Sequence, residues 1–284
     1  MLHVTRRRRA AHLSVAGLLV ALTAACVGDN HLSATTLFVY GPPQALGEGT
    51  ARTYLERDAA GAPTALGVAI SERALTGLPQ TPLPGGPSAV NLTLQLPPEA
   101  RTTGFDHVML DWNPGGHEPE HVYTLPHFDF HFFLTSAAER DAIMPSDPAW
   151  ASKAASFPPR EFIPADYAAG STLGGVTPAA AAVPMMGMHW LDVKSPELQA
   201  PPNNKVFTST FIYGSWDGKI NFVEPMITKA YIESMRDSTQ GVSVPISVLP
   251  RAQKPGLYPT KYSVRFDKPT GEYRIAIEGL TAKQ

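Results

Sequence analysis

A single cysteine, Cys26, stands in a chain of 284 residues, so no disulfide can form within it and stability must come from a hydrophobic core. Long apolar runs are also missing: the stretch from Leu13 to Leu22 is too short to span a bilayer as a helix. Beyond Arg6, Arg7, Arg8 and Arg9 there is no stripe of Lys and Arg. That excludes nucleic acid as a partner of the processed chain, because a phosphate backbone has to be neutralised by clustered cations. There is no Gly-x-Ser-x-Gly elbow, no phosphate-cradling Gly-Lys-Ser/Thr loop, no Cys pair and no dinucleotide fingerprint. Proline, by contrast, is abundant. All 28 lie after residue 25 and interrupt every long window, which leaves room only for short helices.

The N-terminal end reads as an export signal. Four arginines precede the apolar run, and Thr23-Ala24-Ala25-Cys26 places small residues where a signal peptidase must approach the backbone. Cys26 follows the small pair as the lipidated cysteine of a bacterial lipoprotein does. The alternative is an ordinary secretory peptide with a cysteine near its cut, but an unpaired thiol in an oxidising compartment favours the lipid. Adjacent arginines also raise twin-arginine export, though the rest of that motif is poor. The expected division is a lipoprotein-type signal over residues 1–25, a flexible tether over 26–35 and one β-rich domain over 36–284. The expected location is the bacterial cell envelope, membrane-anchored through Cys26 or else periplasmic or extracellular. Removing residues 1–25 takes away four Arg and no acid, leaving 19 Lys and Arg against 25 Asp and Glu, a net charge of −6.

Period-two alternation dominates the remainder. Lys261–Phe266 and Glu272–Ile277 each have one apolar and one mostly polar face, as half-buried antiparallel strands require. Further strands are expected at Thr36–Tyr40, Thr50–Glu56, Ala89–Leu96, His107–Trp112, Val206–Tyr213, Lys219–Glu224 and Val242–Leu249, with helical pieces at Ser71–Leu75, Ser136–Ile143 and Thr228–Met235. The expected fold is mainly β, an antiparallel sandwich or barrel-like sheet with a few short helices. An Ala/Pro-rich insert at about 145–184 has no clear period and reads as a cover over the segments it links.

The chemistry concentrates in residues 117–131, His-Glu-Pro-Glu-His-Val-Tyr-Thr-Leu-Pro-His-Phe-Asp-Phe-His, with four histidines beside three carboxylates. Three readings apply. In the first, His117-Glu118-Pro119-Glu120-His121 is a metzincin-like protease motif with His127 as third ligand. That motif needs a helix to put two imidazoles one turn apart, and Pro119 spoils it. In the second, strand alternation sends Phe128, Phe130 and Phe132 to one face and His127, Asp129 and His131 to the other as metal ligands. His127 and His131 are then about 13 Å apart and cannot share an ion, so Asp129 pairs with one of them. Other ligands come from elsewhere: His189, where Gly187 permits close backbone approach, and Glu224, which shares a strand face with Ile220 and Phe222 and is driven toward the core. Two or three imidazoles with a carboxylate suit a divalent transition metal, Zn, Mn or Fe. In the third, the histidines and acids only complete a structural hydrogen-bond network in a non-catalytic envelope scaffold or oligomerising protein.

Several blocks resemble a family of secreted bacterial proteins of unknown function first defined from a Thermus hypothetical protein. They are Leu46-Gly47-Glu48-Gly49-Thr50-Ala51-Arg52-Thr53, Leu66-Gly67-Val68 with Leu75-Thr76-Gly77-Leu78-Pro79, Pro126-His127-Phe128-Asp129-Phe130-His131-Phe132, Met188-His189-Trp190, and Tyr213-Gly214-Ser215-Trp216-Asp217-Gly218 with Glu224-Pro225-Met226. The resemblance implies a predominantly β fold, an envelope location and a pattern that includes His117, His127, Asp129, His131, His189 and Glu224 but not His121. It implies no activity. The expectation taken forward is a polar pocket built from His127, Asp129, His131, His189 and Glu224, with His117 nearby, holding a metal or a small ligand, with homo-oligomerisation left open.

Overall fold

The computed structural model describes Met1 and residues 36–284. The signal, the tether and Cys26 therefore lie outside the described residues. The first four strands, β1 (Leu37–Tyr40), β2 (Gln44–Leu46), β3 (Gly49–Arg57) and β4 (Pro63–Ser71), begin one sheet. The chain then leaves it to build a second sheet from β5 (Val90–Gln95), β6 (His107–Asn113), β7 (His127–Phe133), β8 (Tyr167–Ala169), β9 (Met188–Asp192), β10 (Ser209–Trp216) and β11 (Lys219–Thr228). It returns with β12 (Val242–Pro245), makes β13 (Gly256–Tyr258), and completes the first sheet with β14 (Lys261–Asp267) and β15 (Glu272–Glu278); β16 (Thr281–Lys283) pairs with β13.

Both large sheets are antiparallel and open, ordered β1-β3-β4-β15-β14-β12, with β2 on β3, and β5-β6-β7-β11-β10-β9-β8. One core joins them. Leu55, Leu66, Val68, Ile70, Val264, Ile275 and Ile277 from the first sheet share it with Val108, Leu110, Trp112, Phe128, Phe130, Phe132, Tyr213, Val223 and Ile227 from the second. The arrangement is the expected sandwich, and among the described residues no sheet closes into a barrel. Burying a large aliphatic or aromatic side chain contributes about 1.5–3 kcal/mol, so a core of this extent stabilises the fold without a disulfide.

The short helices form where local capping favours them. Ser136 and Glu139 cap one another reciprocally at the start of Ala137–Asp141, and Thr228 accepts from the Tyr231 N–H ahead of Lys229–Ser234. The insert at 145–184 is not a cover over the histidines. It folds into helices Trp150–Ala155, Gly170–Gly174 and Pro178–Ala181 together with edge strand β8. Trp150 packs on Trp216 and Phe157 on Trp190, while Ala154, Ile163 and Tyr167 join the core. Its rings and small apolar side chains thus add to the sandwich, leaving the histidine face to other segments. Among the described residues no helix is long and apolar enough to cross a membrane.

Candidate metal centre

Strand β7 lies inside the second sheet, between β6 and β11. Its alternation puts Phe128, Phe130 and Phe132 into the core and leaves His127, Asp129 and His131 on the opposite face. A face turned away from the core is ordinarily wet, yet His127 and His131 have side-chain exposures of 0% and 1%. Two patches of apolar side chains cover them. Tyr123, Phe207, Met226, Ile212 and Leu191 form one; Met109, Phe133 and Phe222, with Met186 packed against them, form the other.

Neighbouring strands bring further polar groups to this face. The β6–β7 register sets Asp111 opposite Asp129, Asn113 opposite His127 and Met109 opposite His131. On the other side Met226 lies opposite Asp129, and the ladder is interrupted between Val223 and Met226, at Glu224 and Pro225. Proline has no N–H to donate, which accounts for the gap. The register on either side places Glu224 across from His131. Beyond β11, Gly214 of β10 pairs with both Phe222 and His189, so the histidine from β9 reaches toward Glu224 across a residue with no side chain.

The six candidate ligands separate into two groups of three. His117, His127 and Asp129 form one, and His131, His189 and Glu224 the other; within each, one ligand atom per residue lies within 4.8 Å of the others. In the first, the Asp129 carboxylate sits 3.5 Å from His117 Nε2 and 3.2 Å from His127 Nε2. Both imidazoles use Nδ1 elsewhere: His127 on the Leu125 carbonyl and His117 on the Glu118 carbonyl, each at 2.7 Å. A carbonyl only accepts, so Nδ1 carries a proton in both rings and each Nε2 is the nitrogen that faces the carboxylate. Asn113 Nδ2 donates to Asp129 Oδ2 at 2.7 Å and holds it in place.

In the second group, Glu224 Oε2 lies 3.5 Å from His131 Nε2 and 3.7 Å from His189 Nε2. His131 Nδ1 faces Asp111 Oδ2 at 3.4 Å, and Asp111 Oδ1 accepts from Asn91 Nδ2 at 2.8 Å. Gly187 has φ +94, and a Cβ there would meet the Ser215 carbonyl at 2.4 Å, so the close approach anticipated at this residue is real.

Charge and burial compete at every member. Burial opposes a charge on His131, but Glu224 and Asp111 outweigh it and lift its pKa to about 9. His117 is likewise lifted to about 9, by Asp129 against burial. Burial raises Asp129, yet His127 and His117 together hold it well below the ordinary carboxylate range. For Glu224 burial wins and pushes it up to about 8, although His131 pulls the other way. His189 is pushed down to about 3, by burial first and then by the charges of His131 and His117.

Several of the atoms that face one another have no hydrogen-bond partner: His127 Nε2, Asp129 Oδ1, both ring nitrogens of His131, Glu224 Oε2 and Asp111 Oδ2, all buried. A buried donor or acceptor left unpaired costs about 1–3 kcal/mol. The four Nε2-to-carboxylate separations, 3.2, 3.5, 3.5 and 3.7 Å, fall at or beyond the long edge of ordinary hydrogen bonding. A tetrahedral ion at about 2.0–2.1 Å from each ligand would hold those ligands about 3.4 Å apart. The spacing suits a bound cation better than a direct hydrogen bond.

The expected single pocket is thus two three-residue groups. Glu224 is buried as anticipated, but on the histidine face and not in the core between the sheets. Both faces of β11 are apolar, Phe222 and Met226 on one and Val223 and Ile227 on the other, so alternation alone could not say which was the core. His121 belongs to neither group. It is exposed in a left-handed conformation, φ 68, with Nε2 nearest Glu120, and residues 117–123 form no helix, so the protease geometry is not met. Asp111, Asn113 and Asn91 were not singled out, although His107, Met109, Asp111 and Asn113 alternate along β6 against Val108, Leu110 and Trp112. That polar line was visible in the sequence.

Residues 58–112 match the model of the TTHB210-like family, described as hypothetical protein TTHB210. This agrees with the resemblance read from the sequence blocks. The TTHB210-like segment spans β4, β5 and nearly all of β6; it carries Asp111 and none of the six candidate ligands. No curated protein and no solved structure matches the chain.

Proposed function

We propose that this is an exported, lipid-anchored envelope protein that binds divalent transition-metal ions on the outer face of its second sheet. The observation that carries the reading is the convergence of imidazole and carboxylate atoms at 3.2–3.7 Å on a covered face, where His127 Nε2, Asp129 Oδ1, both His131 ring nitrogens and Glu224 Oε2 have no hydrogen-bond partner, while His117 and His127 give Nδ1 to backbone carbonyls. Ligating histidines characteristically give their second nitrogen to a carboxylate or carbonyl. Two imidazoles and one carboxylate suit Zn, Mn or Fe, and three protein ligands leave coordination positions open for Lewis-acid activation of water or a small substrate. Arg6–Arg9, the Leu13–Leu22 run and the small pair before Cys26 support export and lipidation.

Metal analysis of protein purified without a His-tag tests the site. About one equivalent or more of a transition metal per chain is expected, after reloading where purification strips it. Less than about a tenth of an equivalent after reloading would leave the histidines as a structural ion-paired network and the protein as a scaffold. The anchor is tested separately: Cys26→Ser should move the protein from the membrane fraction to the soluble one, and an unchanged distribution would refute lipidation.

A further inference from the structure

We infer that the face carries two separate metal sites of unequal kind, and that the ion held by His117, His127 and Asp129 clasps the β6–β7 connection onto the sheet. This rests on the metal-binding reading and goes beyond it. The two groups share no residue, and their members on β7, Asp129 and His131, are two residues apart, about 6.6 Å along the strand. Each group brings its own carboxylate and two imidazoles, a full three-ligand set, so each is a single-ion site.

Their scaffolds differ. His131, Glu224 and His189 come from β7, β11 and β9, all fixed by the ladders of one sheet. In the other group only His127 and Asp129 are on a strand. His117 belongs to the connection 114–126, which is stitched to itself: His117 N–H donates to the Tyr123 carbonyl at 2.9 Å, and the Val122 and Tyr123 N–H groups both reach the Pro119 carbonyl. Gly116 closes the stitch at φ +69, where a Cβ would meet the Tyr123 carbonyl at 2.1 Å. The connection is therefore shaped to move as a unit. It is fastened to the sheet through His117 at Asp129, and Tyr123 ties it to the segment ahead of β10, its hydroxyl donating to Glu197 and its ring packing on Phe207. An ion on His117 and the two β7 ligands adds a coordinate bond across that joint. Glu118, Glu120 and His121 at its tip are exposed.

The Glu120–His121 bond makes the clasp measurable. Metal-stripped protein is titrated with zinc alone and then treated with a Glu-specific protease, following the fragment that ends at Glu120. Two equivalents of zinc should bind, and cleavage at Glu120 should slow by about tenfold or more once zinc exceeds its dissociation constant by that factor. Glu224→Gln should keep one equivalent and the protection; Asp129→Asn should keep one equivalent and lose it. His117→Ala, which leaves both β7 ligands in place, should repeat the Asp129→Asn result and serves if that variant does not fold. One equivalent in the parent protein, or protection that survives both Asp129→Asn and His117→Ala, would overturn the inference while metal binding stands. No zinc at all would remove both.

Discussion

Asp111 and Asp129 stand directly opposite each other in the β6–β7 ladder, and both are buried. Like charges in that relation repel, and burial adds to the cost, so the pair persists only because each carboxylate has other partners. Asp129 faces His117 and His127 and accepts from Asn113; Asp111 faces His131 and accepts from Asn91. The two acids order the face: one joins a group of ligands directly, while the other steadies a ligand from behind.

Asp111→Asn should therefore weaken zinc at the His131 group by about 10–100-fold, the usual effect of losing the partner of a ligating histidine, and leave the His117 group unaffected. Calorimetric titration would resolve the two affinities. No change in either would remove Asp111 from the support of the site.

The pKa shifts predict how metal-free protein responds to pH. His117 and His131 have folded values of about 9 against an ordinary value of about 6.5, so they contribute stability that is complete below about pH 6.5 and lost as pH rises through 9. Glu224, raised from about 4.5 to about 8, takes stability away as pH climbs between those two values. In the acid direction His189, at about 3, favours unfolding as pH drops below about 6.5, and Asp129 loses its contribution below about pH 4. Urea midpoints measured between pH 3 and 10 should peak at about pH 4.5–6.5, where the Glu224 loss and the His189 gain offset one another, and fall on both sides. A flat alkaline limb would contradict the pairing of His131 with Glu224.

Zinc should reverse that alkaline limb. Ligation displaces the imidazolium protons, so apparent affinity should rise by about tenfold per pH unit for each proton released, between about pH 6 and 9. Affinity that stays constant over this range would mean that His117 and His131 do not ligate.

Much of this was legible in the sequence, and the exceptions have physical causes. Phe128, Phe130 and Phe132 announced which way β7 faces, and the alternation of β14 and β15 marked them as half-buried strands. Strand β4 was not expected because Ala65-Leu66-Gly67-Val68-Ala69-Ile70 is apolar throughout; it pairs with β3 and β15 and is buried on both faces, so no alternation survives. His189 and Glu224 could be named from their local settings, but the split into two groups depends on register. One residue of slip between β7 and β11 would take Glu224 away from His131 and turn it to the other face. No local pattern encodes that pairing.

His107 is the contrasting case, a buried histidine outside the metal groups. Its Nδ1 faces Asp106 at 2.9 Å and its Nε2 accepts from Arg140 at 3.0 Å, while Arg140 also donates to Thr93. Burial lowers its pKa in spite of Asp106, as suits a neutral ring receiving a guanidinium. Arg140→Ala should cost about 2–3 kcal/mol, the worth of a charge-assisted hydrogen bond, and leave the zinc stoichiometry unchanged. A loss of zinc in that variant would show that the two regions are coupled.

Gly214→Ala tests the site through packing alone. A Cβ at Gly214 would meet three Phe222 ring atoms at 2.0–2.2 Å, and that ring lies 5.0 Å from the His131 ring and 5.2 Å from the His189 ring. Phe222 cannot yield easily, because Phe133 packs against it at 5.3 Å and Met109 lies in the same cluster. Overpacking of this kind costs about 1–3 kcal/mol, and the ring moves toward the imidazoles it separates. The variant should fold with lowered stability and lose zinc from the His131 group while keeping it at His117, although no ligand has been changed. Full zinc content with the stability loss alone would mean that Phe222 fills space there without setting the spacing of His131 and His189.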